Sequence, residues 1–241
     1  MRVEEAPMIY RKEFFDLQWR FASRVAALAG KPLGDALLAC TNFYARFGLG
    51  RDFNAADPAW CEYLEGLRCS ATPRDWTYEF YRSRLPDRGA PGIVASIGCF
   101  SYARLADGRI RLHFHNAEPP GVSPLAAHRQ EQRRDELRQL FEGVRRREGA
   151  ATRVIGASWL YNIDAYRRLF PAAYLSTAGI SEPRFRHMPL WGQFLDRHGA
   201  VRREPASVLM QRLSMQRGLR GLEACFPLQV LALEGVASMF S

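Results

Sequence analysis

The stretch from Arg129 to Tyr174 constrains this chain most. Leu137, Leu140, Phe141 and Val144 recur at three- and four-residue spacing, with Arg138, Glu142, Arg145 and Arg146 between them. Residues 129–148 therefore read as a helix with one buried stripe and a wet, charged face. Gly149 stops it, Thr152–Tyr161 reads as a strand, and Ile163–Phe170 reads as a short helix ended by Pro171. Ala172–Ser176 suggests one more strand. Upstream, Gly92–Leu105 and Arg109–Asn116 are strand-like and joined by Ala106-Asp107-Gly108, whose Asp-Gly pair suits a hairpin turn. Ser123-Pro124 offers a capping serine and a first-position proline, which predicts a helix starting there. Strands and helices in this order indicate an α+β fold.

The first third is different in character. Phe14, Leu17, Phe21, Val25 and Leu28 form one stripe of a helix over 14–29, ended by Gly30 and Pro32. A second helix is expected over 33–47, and a third over 58–67 with Asp57 as its cap and Pro58 in its first turn. Asp75–Arg84 fits either a strand or a helix, because Trp76, Tyr78 and Phe80 alternate. Beyond the central stretch, 190–198 and 205–215 read as helices and Leu228–Met239 as a last strand. The expected organisation is a mostly helical portion, 1–90, and an α/β portion, 91–241, within one continuous domain.

Composition narrows the class. At 241 residues, 47% apolar and 24% charged, the chain can bury a sizeable core and needs no disorder beyond its first residues, Asp87–Pro91 and Ala117–Gly121. Cys40, Cys61, Cys69, Cys99 and Cys225 are odd in number and lack a C-x-x-C pair, which suits a reducing compartment better than a disulfide framework. The acidic start lacks the apolar run of a secretory signal, and Leu228–Phe240 is too short to span a bilayer. A soluble, cytoplasmic protein is expected. The net charge of +9 is carried by arginine, since Lys12 and Lys31 are the only lysines. Guanidinium groups pair bidentately with phosphates and carboxylates, so an anionic ligand is one reading; solvated arginines of a biased composition are the other.

The order basic turn, helix, strand, Asn, short helix over 129–174 resembles the second half of the GNAT (Gcn5-related) acyltransferase fold. The resemblance implies an acyl-CoA N-acyltransferase-like mixed sheet flanked by helices. It also implies transfer of an acyl group from a coenzyme A or carrier-protein thioester to an amine, small molecule or peptide. In that family an Arg/Gln-x-x-Gly-x-Gly/Ala turn opens the helix, so that free N–H groups and the helix dipole hold the pyrophosphate. Aligned by helix and strand, Arg129 takes the first position, while Gln132 and Arg134 stand where the glycines would be. The chain thus resembles a divergent member, with Arg129, Arg133 and Arg134 as cofactor contacts. Asn162 takes the family's place near the cofactor at the strand's end. The family's acidic tyrosine falls on Phe170, leaving Tyr166, one turn earlier, as the substitute.

Ile110, Leu112 and Phe114 alternate with Arg111, His113 and His115, which puts both imidazoles on one strand face, with Glu118 close behind. On the acyltransferase reading this is the central strand beside the thioester. A near-neutral imidazole, His115 first and His113 second, could then take the proton of the amine. His-x-His also fits a metal site, although none of His128, His187 and His198 is tied to the pair by spacing, and no metal is expected. Two alternatives stay open: a non-catalytic GNAT-like module binding an anion or nucleic acid through its arginines, and a metal-dependent enzyme using His113 and His115. Membrane partners are not expected; the oligomeric state is left open.

Overall fold

The computed structural model describes residues 9–50, 53–85, 92–119, 121–180 and 188–240. In chain order the elements are α1 (Lys12–Ala29), α2 (Leu33–Cys40), α3 (Phe43–Arg46), α4 (Pro58–Cys69) and α5 (Pro73–Ser83), then β1 (Ile93–Ile97), β2 (Phe100–Arg104) and β3 (Ile110–Phe114). There follow α6 (Gln130–Glu148), β4 (Arg153–Ser158), α7 (Asp164–Arg167), α8 (Ala172–Leu175), β5 (Gly179–Ile180), α9 (Arg203–Met215) and β6 (Leu231–Val236). The first residues, Asp87–Pro91 and His187 lie outside the described residues. The chain is α+β, and it divides into two compact units: Met1–Gly89 with Trp191–Pro227, and Ala90–Leu190 with Leu228–Ser241.

The first unit is helical and packed with aromatic rings. Phe14 and Phe21 of α1, Phe43 of α3, Trp60 and Tyr63 of α4 and Tyr81 of α5 are all buried. Asp57 caps α4 by accepting from Ala59 N and Trp60 N, as its position predicts. The single helix expected over 33–47 is broken at Thr41-Asn42. There the Thr41 hydroxyl donates to Leu37 O and accepts from Phe43 N, while Gln18 Oε1 takes the Asn42 N–H. Such local side-chain bonds compete with the helix ladder. The ambiguous 75–84 segment is a helix because Thr77, Phe80 and Tyr81 bury one stripe. The helix expected over 190–198 is a 3-10 turn, Met188–Phe194, followed by a loop in which Asp196 accepts from His198 N and Ala200 N.

The second unit carries a six-stranded mixed sheet among the described residues, ordered β1-β2-β3-β4-β6-β5. Neighbours are antiparallel except β3 and β4, which run parallel and are connected by α6. The long strand expected over 92–105 is a hairpin instead. Gly98, at φ 52°, turns it, so Cys99 sits in that turn rather than on a strand. The 106–108 turn stands as expected, with Leu105 N donating to Arg109 O. Ser123-Pro124 starts no α-helix: Ser123 O accepts from Ala126 N, a 3-10 turn spans Ala127–Arg129, and α6 begins at Gln130. Residues 172–175 are helical rather than extended, because Pro171 ends one turn and its carbonyl accepts from Tyr174 N and Leu175 N. One face of the sheet, with Phe100, Tyr102, Ile110, Leu112, Val154 and Leu233, packs against Leu137, Leu140, Phe141 and Val144 of α6. No helix among the described residues is long and apolar enough to cross a membrane.

Candidate functional site

The parallel strands β3 and β4 pair at only two positions, Ile110 with Val154 and Arg111 with Ile155, and then part. On its other edge β4 pairs with β6 along its whole length. The hydrogen-bond alternation fixes which groups face the parting. His115 N donates to Cys99 O at 3.0 Å, and Ala237 N donates to Thr152 O at 2.9 Å. Odd-numbered residues of β3 therefore turn their backbone polar groups toward β2, and even-numbered residues of β4 turn theirs toward β6. Beyond the last paired residues, Phe114 of β3 and Ala157 of β4 direct their amides into the opening.

Three phenols stand over the same place. A Cβ on Gly156, the first β4 residue past the pairing, would lie 2.2 Å from Tyr161 Oη and 2.6 Å from Tyr174 Oη. Those two hydroxyls are 3.4 Å apart. All three rings are buried, and burial pushes each phenol well above its ordinary range. Tyr166 packs on Phe114, Tyr161 and Phe170 with centroids 4.9–5.1 Å away, so it is a core ring.

The start of α6 is occupied by a buried ion cluster. Arg133 is 1% exposed and its Nη2 lies 2.7 Å from Glu118 Oε1 and 2.9 Å from Glu136 Oε1. Its Nη1 contacts Cys99 Sγ, and Cys99 N donates to Glu136 Oε2 at 3.0 Å. Burial pushes the Cys99 thiol up. Arg129 reaches Glu118 Oε2 at 3.3 Å and donates to Gln132 Oε1. Arg134 donates to Arg168 O and pairs with Glu131, tying α6 to the end of α7. These arginines serve the protein's own carboxylates and carbonyls. Glu118, grouped with the histidines by sequence, faces Arg133 instead.

Asn162 is exposed; its Nδ2 donates to Trp159 O and Gln229 O, both at 2.8 Å, so it fastens the end of β4 to the chain entering β6. His113 is half-buried and His115 exposed, on the sheet face away from the α6 core. Among the described residues no three His, Cys, Asp or Glu side chains converge as a metal-binding set.

Two hollows flank the start of α6. A small one of about 80 Å³ is lined by Ala126, Ala127, Gln130, Arg133, Ala165 and Arg168, and Arg133 Nε has no partner. A larger one of about 230 Å³ runs on between α6 and the end of α7, with Arg134, Arg138 and Arg168 around Leu137, Phe170 and Phe240. The alanines, Arg168, Gly156, Tyr161 and Tyr174 were not singled out by sequence reasoning. The adjacent small residues Ala126-Ala127 ahead of the helix were the available signal. Comparison of the chain with protein-family models, curated proteins and solved structures returns no match.

Proposed function

We propose that this chain is an acyltransferase of the GNAT kind, moving an acyl group from a coenzyme A or carrier-protein thioester to an amine. The observation that carries the reading is the parting of β3 from β4 in a mixed sheet whose last strand enters antiparallel between β4 and β5. Unpaired strand edges bind an extended, amide-bearing chain as an added strand would be bound, which is the chemistry of a pantetheine arm. The helix between the two strands begins beside that opening, and small side chains at Ala126, Ala127 and Ala165 leave its first turn approachable. Phosphate would meet backbone N–H groups there. Gln132 and Arg134, aligned with the family's glycines, lie in α6 itself, past the Ala127–Arg129 turn that leads into it.

In the reaction the amine nitrogen adds to the thioester carbonyl carbon, the C–S bond breaks, and the nitrogen loses a proton. His115, just past the end of β3, is suited to take that proton. Acetyl-CoA at about a hundred times its dissociation constant adds roughly 2.7 kcal/mol of stability. In a protein of this size that raises Tm by about 5–10 °C. Thermal melts with acetyl-CoA, longer acyl-CoAs and free CoA test this; an unchanged Tm in all three removes coenzyme A as the donor.

A further inference from the structure

Taking the acyltransferase reading as its basis, we propose that Arg111 binds a carboxylate of the acceptor, so that the substrate is an amine bearing a carboxylate at the far end of a short chain. Arg111 stands at the last position where β3 pairs with β4, just before the two strands part. It alternates with the buried Ile110 and Leu112, which puts it on the sheet face away from α6, the face of His113 and His115. Its neighbours across the sheet are Ala103 of β2 and Ile155 of β4, neither of which offers a side-chain acceptor.

The side chain is half-buried, its Nε is shielded from water without a hydrogen-bond partner, and no carboxylate among the described residues pairs with it. Burial, and then the charge of Arg109, lower its pKa from the ordinary arginine value. The nearby carboxylates are engaged elsewhere. Asp107 lies 2.6 Å from Arg109, and Glu234, beyond Ile155 in the same row, pairs with Arg153. A desolvated cation with open donors is costly to the fold by itself, and an anion that arrives with a ligand offsets that cost. One free guanidinium fork matches one carboxylate bidentately. His115 lies four residues further on, about 13 Å along an extended chain. A carboxylate at Arg111 and an amine at His115 are therefore opposite ends of the acceptor, not substituents of one carbon.

The test uses the full chain, the acyl-CoA that the parent turns over, and two acceptors that differ only at the far end, 6-aminohexanoate and hexylamine. In the parent, kcat/KM for 6-aminohexanoate should exceed that for hexylamine by about 10- to 100-fold, as for one charge-assisted carboxylate contact. In Arg111→Met the ratio should collapse to about one. The variant should melt no lower than the parent, because a cation without a partner contributes nothing to the fold that methionine lacks. A ratio near one in the parent, an unchanged ratio in the variant, or a Tm lowered by several degrees overturns the assignment and leaves acyl transfer standing. A higher kcat/KM for glycine overturns the spacing, and one for 6-aminohexyl phosphate overturns the choice of carboxylate. Calorimetric titration with 6-aminohexanoate reads the site without turnover. Binding by the parent that Arg111→Met loses, with no acyl transfer from any donor, overturns the acyltransferase reading and leaves the carboxylate site. A parent that neither binds nor acylates 6-aminohexanoate overturns the site itself.

Discussion

Arg133→Met should lower the unfolding free energy of the sheet unit by about 3–5 kcal/mol, the cost of leaving buried charges without their partner. The guanidinium is 1% exposed and lies between Glu118 and Glu136, whose side chains are 7% and 11% exposed. Removing it leaves two carboxylates facing each other, with Arg129, 3.3 Å from Glu118, as the one other cation paired with them among the described residues. The cluster also fixes the geometry around the site. Glu136 accepts from Cys99 N, and Gly98 is so close that a Cβ there would fall 1.9 Å from the Glu136 carboxyl carbon. Glu118 fastens the chain leaving β3 to α6. Urea unfolding reads the effect as a lower midpoint at unchanged slope. The triple variant Arg133→Met, Glu118→Gln, Glu136→Gln should recover most of the loss, since the buried charges go together and Arg129, which loses Glu118, is 30% exposed. A single variant as stable as the parent would show that the cluster does not hold α6 to the β1–β2 turn.

Gly156→Ala carries the second large effect. The added methyl would sit 2.2 Å from Tyr161 Oη and 2.6 Å from Tyr174 Oη. Both rings are buried, so neither can swing into water. Overpacking of this kind costs about 1–3 kcal/mol, and disturbing the hydroxyl pair adds about 1 kcal/mol. Gly143→Ala in α6 is the control. Nothing lies within 4 Å of its Cβ position, so alanine there should stabilise by about 1 kcal/mol through helix propensity alone. Melts of the two variants with opposite signs match this packing; equal, near-zero shifts contradict it.

Local chemistry made much of the fold legible in the sequence. The α1 stripe, the Asp57 cap, the 106–108 turn, the alternation along β3 and the Gly149 stop all rest on contacts within a few residues. What stayed hidden depends on distant partners. Arg133, read as a cofactor contact, and Glu136, not singled out, stand three residues apart in a run of charges; Cys99 and Glu118, folded back over that turn, make them interior. The pairing of β4 with β6 spans about seventy-five residues and leaves no local trace. Ser123-Pro124 is a sound start signal that the chain uses for a turn instead. Asn162 and Tyr166 were named by position, and their observed contacts hold the end of β4 and fill the core. The tyrosines over Gly156 escaped because a glycine inside a strand reveals close approach only once the approaching groups are known.

Amide hydrogen exchange with and without saturating acetyl-CoA asks most directly whether the opening between β3 and β4 receives the donor. Slowed exchange at Phe114 and Ala157, together with the turn at Ala126–His128, is the predicted result. Binding that leaves these amides unchanged and protects only the arginine-lined hollow between α6 and α7 would contradict it.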